Sequence, residues 1–125
     1  MTHYQFRLMR MQRVKEIAMY TKKDRTLEEY KRAGSEMRLF KTLGSKVAVD
    51  ISKVLSAADF DKFIRALNKI DDICCKADDN LFRDYPEVGN EYTDVFYGSV
   101  DAAPRNALDA EMIERARVTA NELFE

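Results

Sequence analysis

The sequence predicts an all-α protein: an antiparallel bundle of about four helices, with a long, partly structured connection before the last one. Two helix-start signatures, Thr26-Leu27-Glu28-Glu29 and Ser56-Ala57-Ala58-Asp59, each head an apolar-periodic segment. One apolar stripe, running from Phe60 to Leu81, repeats every three to four residues for about six turns. Four glycines and two prolines in 125 residues are too few turn-formers for a β-sandwich or barrel. An apolar content of 46% over this length suits one domain, residues 1–125, with a sizeable core.

The first expected element is a helix over residues 4–22. Phe6, Leu8, Met9, Met11, Val14 and Ile17 cover much of its circumference, and Arg7, Arg10 and Arg13 form one drifting basic row. A helix both apolar and basic on several sides touches two neighbours, or a neighbour and a partner. The brief alternation from Tyr4 to Leu8 also fits a strand, but it is too short to outweigh the rest.

Thr26 opens the second helix as a capping box with Glu29, and Leu27, Tyr30, Ala33, Met37, Phe40, Val47 and Ile51 keep its spacing. Gly34 reads as a close-packing point. Gly44-Ser45 is where this helix is expected to kink or restart, and the alternation Val47–Ile51 leaves a strand as a competing reading. Ser56 caps the third helix, which is expected to be a core element along its whole stripe. Its other face carries Asp61–Arg65 and Asp72–Lys76, both in the favourable i, i+4 order.

After Phe82 the periodicity stops. Pro86, Gly89, Gly98 and Pro104 punctuate residues 83–106, a length that signals function or hidden structure. Residues 90–97 fit one or two helical turns capped by Asn90. The last helix opens at Pro104, Asn106 or Asp109, with Leu108, Met112, Ala116 and Leu123 on its stripe.

Charge separates along the chain. Residues 1–46 carry twelve basic and five acidic residues, a net +7; residues 47–125 carry nine and seventeen, a net −8. Three readings follow: the halves face each other within the fold, the basic half faces an anionic partner, or copies associate head to tail.

Known catalytic patterns are missing. His3 is the single histidine, and no phosphate-binding glycine loop, nucleophile elbow or calcium loop is present. Cys74 and Cys75 are adjacent, a spacing that makes no stabilising crosslink and reads as a pair of small apolar side chains. Asp71 and Asp78, seven apart with Asp72 and Asp79 beside them, read as a solvated acidic face rather than a cation site. No catalytic residue, metal or cofactor is therefore expected.

Two binding readings remain. Nucleic acid would be met by Arg7, Arg10, Arg13, Lys22, Lys23 and Arg25, with interleaved aromatics such as Tyr20 and Tyr30, although a pI near 5.9 is low for that role. Alternatively, Tyr85, Tyr92, Phe96 and Tyr97 sit among acidic residues in the connection and would anchor a partner surface. The competing reading is that these rings fold back and cap the bundle. The expected function is a non-enzymatic helical interaction module that binds another macromolecule or itself as an oligomer; the alternative is a nucleic-acid-associated accessory protein using residues 1–46. No run approaches the roughly 18 apolar residues of a membrane span and no leader pattern is visible, so the expected place is the cytoplasm.

Overall fold

The computed structural model describes residues 25–123; the expected helix over residues 4–22 lies outside them. Among the described residues regular structure is helical, with no strand: α1 (Leu27–Ile51), α2 (Ala57–Asp84), a 3₁₀ turn (Asn90–Asp94) and α3 (Ala107–Glu122). No helix among them is long and apolar enough to cross a membrane.

Each α-helix begins on a side chain that satisfies an amide the helix leaves free. The Thr26 hydroxyl accepts from the Glu29 N–H at 3.1 Å and the Ser56 hydroxyl from the Asp59 N–H at 3.2 Å. The Asn106 carbonyl accepts from the Asp109 N–H at 2.8 Å, which selects Asn106 among the three expected starts of the last helix. Glu28, Glu29, Asp59 and Asp109 occupy first turns, where the helix dipole favours a negative charge.

The expected break at Gly44-Ser45 does not occur, and residues 47–51 are helical rather than extended. Packing overrides the weak propensity here, because Gly44 lies under α2. A Cβ on Gly44 would come 3.0 Å from Leu67 Cδ2.

Gly34 plays the same part against the connection. A Cβ there would lie 2.6 Å from Val95 Cγ1, so α1 and the 3₁₀ turn approach as closely as a bare backbone allows. This approach builds the core. Val95 and Phe96 are 0% and 3% exposed and join Tyr30, Cys74, Leu81, Leu108 and Met112 in one buried cluster. The hidden structure of residues 83–106 is thus a layer that pins α3 to α1, not a loose strap.

The core is lopsided. No residue from 39 to 73 is fully buried, and on α2 only Cys74, Leu81 and Asp84 are. Phe60, Phe63, Ile64, Leu67 and Ile70 are half-buried, so the expectation of a core helix along the whole stripe holds only for its C-terminal end. The reason is reach: the buried cluster that the connection and α3 help to form takes in α2 at Cys74 and Leu81.

Gly34→Ala should lower unfolding stability by about 1–3 kcal/mol, because the clash is with a fixed stretch of the connection. Gly44→Ala meets only the end of a flexible leucine and should be nearly neutral. Urea denaturation of the two variants separates them; equal losses would contradict this account.

Candidate functional site

Arg38 lies in the middle of α1, 0% exposed, and everything around it is organised by its charge. One guanidinium nitrogen donates to Asp109 Oδ1 at 2.7 Å and to the Ser99 carbonyl at 3.3 Å; the other donates to the Asp94 carbonyl. Its Nε is buried without a partner. Asp109 is held from two further sides, its Oδ2 accepting from the Arg105 N–H at 3.0 Å and lying 3.5 Å from the Arg105 guanidinium. Burial alone would raise the Asp109 carboxyl, but the Arg105 amide and the Arg38 and Arg105 guanidinium groups outweigh it and hold the pKa below the ordinary value. Gly98 completes the clamp. Its φ is +135°, and a Cβ there would stand 2.8 Å from Arg38 Cζ.

A second cluster closes the N-terminal end of α1. Asp84 receives Arg25 Nε at 2.8 Å and the Tyr30 hydroxyl at 2.6 Å, while the Tyr85 hydroxyl donates to the Arg25 carbonyl at 2.8 Å. Burial, and then the bond to Asp84, push the Tyr30 hydroxyl up to about 12. Tyr30 stays a neutral donor at any ordinary pH.

The four aromatic anchors expected of a partner site all turn toward the fold. Phe96 is buried, edge-on to Tyr30 with ring centres 6.4 Å apart, and Tyr85 meets the same ring edge-on at 6.2 Å. Tyr92 lies under the Lys31 ammonium at 5.8 Å and Tyr97 under Lys41 at 4.8 Å. The basic surface that meets the acidic, aromatic connection is therefore α1 of the same chain. Tyr97 also donates its hydroxyl to Cys75 Sγ at 3.0 Å, and burial first, then this bond, raise its pKa.

Of the expected nucleic-acid contacts, Arg7, Arg10, Arg13, Lys22 and Lys23 lie outside the described residues. Arg25 lies within them, bound to Asp84. Among the described residues, Arg25–Asp84, Lys31–Glu111 at 3.1 Å, Arg38–Asp109 and Lys41–Asp71 at 3.7 Å each join a base of residues 1–46 to an acid of residues 47–125. Arg115–Glu28 at 2.8 Å is a pair of the opposite sense.

No three His, Cys, Asp or Glu side chains converge as a metal site requires among the described residues. Cys74 is buried and Cys75 exposed, both free thiols. Asp78 is half-buried with Oδ1 unpartnered, and burial, then the neighbouring Asp79, raise its pKa. Comparison with protein-family models, with curated proteins and with solved structures finds no match to this chain.

Breaking the clamp on one side leaves a buried guanidinium without its counter-charge. Asp109→Asn should cost about 3–5 kcal/mol in urea unfolding, and adding Arg38→Met to it should recover part of that loss. A double variant as unstable as the additive sum would refute the coupling. Because the Asp109 pKa is depressed, its contribution is complete above the ordinary carboxylate value of 3.8 and disappears as pH falls through its own lower value, so Asp109→Asn should flatten the acid limb of the stability curve.

Asp78 has the opposite sign. Its ionised form is disfavoured by folding, so its penalty grows as pH rises from 3.8 through the raised value. Asp78→Asn should therefore melt higher than the parent at pH 7 and lose that advantage at pH 3. A lower melting temperature at pH 7 would mean that the carboxylate is paired in solution.

Proposed function

We propose that this chain is a non-enzymatic helical interaction module that binds another macromolecule or itself. The observation that carries the reading is the imbalance between its two ends. At one end, two ionic clusters and a layer of aromatic rings close the core. At the other, the α1–α2 hairpin leaves Phe40, Leu43, Val49, Val54 and Ile73 exposed, between 51% and 78%. Large apolar side chains left in water side by side, as Phe40 and Leu43 are at i, i+3 on α1, mark places where another surface is met.

The chemistry of the buried groups supports the same reading. Arg38, Asp84 and Asp109 are bound to partners within the fold, which suits a scaffold better than a reaction centre. The inward direction of Arg25, Lys31, Arg38 and Lys41 favours a protein partner over nucleic acid, since these positive charges already face carboxylates. The nucleic-acid alternative draws on Arg7, Arg10, Arg13, Lys22 and Lys23.

Light scattering on the purified chain, with co-purification from its native cells, tests the proposal. The expected result is a mass above the 14.5 kDa of one chain, or a stoichiometric partner. A strict monomer that retains no partner would count against it.

A further inference from the structure

We infer that the α1–α2 hairpin, on the face turned away from the connection, docks an amphipathic helix of a partner protein that carries acidic residues along one flank. This rests on the reading of the chain as an interaction module, and adds the surface and the chemistry of its occupant.

Helical rotation of about 100° per residue identifies the free face. On α1, Arg38 and Lys41 mark the covered side, because they donate to the carbonyls of Asp94 and Phe96 in the connection. Phe40 and Val47, seven residues apart, fall on a line turned away from that side, and Phe40 is 51% exposed. On α2, Cys75 marks the covered side through its bond with Tyr97. Ala66 and Ile73, again seven apart, fall on the opposite side, with Ile73 55% exposed. Gly44 meets Leu67 and Lys41 meets Asp71, so Phe40 stands level with Ile70 and Ile73, and Val47 with Ala66. By this placement they fall along one side of the contact between α1 and α2, where two helices side by side leave a groove between them.

Seven-residue spacing is the period of a coiled-coil seam. By that measure α2 has two seams. Leu67, Cys74 and Leu81 form the seam toward α1 and the core; Ala66 and Ile73, with Ile70 between them, form the second, along the groove. Beside the second seam runs a row at one heptad position: Lys62, Lys69, Lys76 and Arg83, all exposed. Of these, Lys62 has Asp59 at 3.7 Å, a solvent-screened pair. A same-sign row flanking an apolar seam selects its partner by charge.

That row decides among occupants. A second copy packed antiparallel along the same seam would set lysine row against lysine row. Residues 1–24 carry six basic residues against two acidic ones and are no better matched. A helix with an apolar stripe and glutamates or aspartates along one flank complements both the groove and the row.

The test uses the full chain with a photo-crosslinking benzoylphenylalanine at position 66, and two synthetic amphipathic helices about three heptads long, identical except for Glu or Lys on the flank. The Glu-flanked peptide should cross-link at position 66 and bind about tenfold tighter than the Lys-flanked one, as three or four screened pairs imply. In Lys62→Glu/Lys69→Glu/Lys76→Glu the preference should invert, and Ile73→Asp should weaken both peptides. All four positions are exposed, and thermal melts by circular dichroism verify that the variants fold. Equal affinity for the two peptides, no affinity for either, or a preference that survives charge reversal would overturn the inference. So would cross-linking to residues 1–24 or to a second copy. A chain that fails here but yields an oligomer or partner in the preceding experiment remains an interaction module and loses only this surface.

Discussion

The fold hangs on one buried ion pair. Arg38 and Asp109 are 71 positions apart, and between them the chain has closed the hairpin, made a 3₁₀ turn and begun its last helix. A guanidinium taken fully out of water needs acceptors, and here Asp109 and the carbonyls of Asp94 and Ser99 serve its two terminal nitrogens, leaving only Nε without one. The same bonds fix the path of the connection, because two of the three acceptors are its own backbone. Geometry around the clamp follows from that demand: Gly98 stands where Arg38 leaves no room for a Cβ, and Gly34 lets Val95 approach α1. Such a pair contributes little net stability relative to an apolar replacement. Its effect is to exclude other registers, since any slip of α3 along α1 would strand a buried charge.

Much of the architecture could be read from local chemistry. Thr26, Ser56 and Asn106 are cap residues whose bonds span three positions, so sequence distance and spatial distance coincide. Gly34 was legible as a contact point because a glycine within a helical pattern has few other uses. The 83–106 connection was not legible beyond its short helical turn. Its order comes from Arg38, Lys41 and Gly34, which lie more than fifty residues away, and no periodicity within the segment records them. Gly44 misled for the same reason: its local weakness is compensated by Leu67, a residue on another helix.

The candidate sites show the same division. The charge split announced that the halves had something to exchange, yet it could not say whether the exchange was internal. Among the described residues the pairs Arg25–Asp84, Lys31–Glu111 and Arg38–Asp109 turn it inward, with Arg115–Glu28 in the reverse sense. The aromatic connection follows suit. Tyr92 and Tyr97 lie against Lys31 and Lys41 of the same chain, the arrangement expected if the rings fold back on the bundle. Composition could not choose between that arrangement and an outward-facing site, because both use the same rings and acids.

What internal pairing leaves over is the half of the hairpin beyond the clamp. Two amphipathic helices packed side by side bury one seam each and leave the flanks of their stripes in water until a third element covers them. Over Cys74–Asp84 the connection and α3 provide that cover; from residue 39 to 73 no side chain is fully buried. Short-range contacts keep this part helical, including the Ser56 cap and the Asp61–Arg65 pair at 2.9 Å, but contacts of that kind contribute only tenths of a kcal/mol to about one each. An element with so little tertiary support is coupled to whatever binds it, because a partner covering the groove adds its binding free energy to the hairpin's stability. The lopsided core thus places the greatest capacity to respond to a partner in the part of the chain that the ionic clamp does not reach.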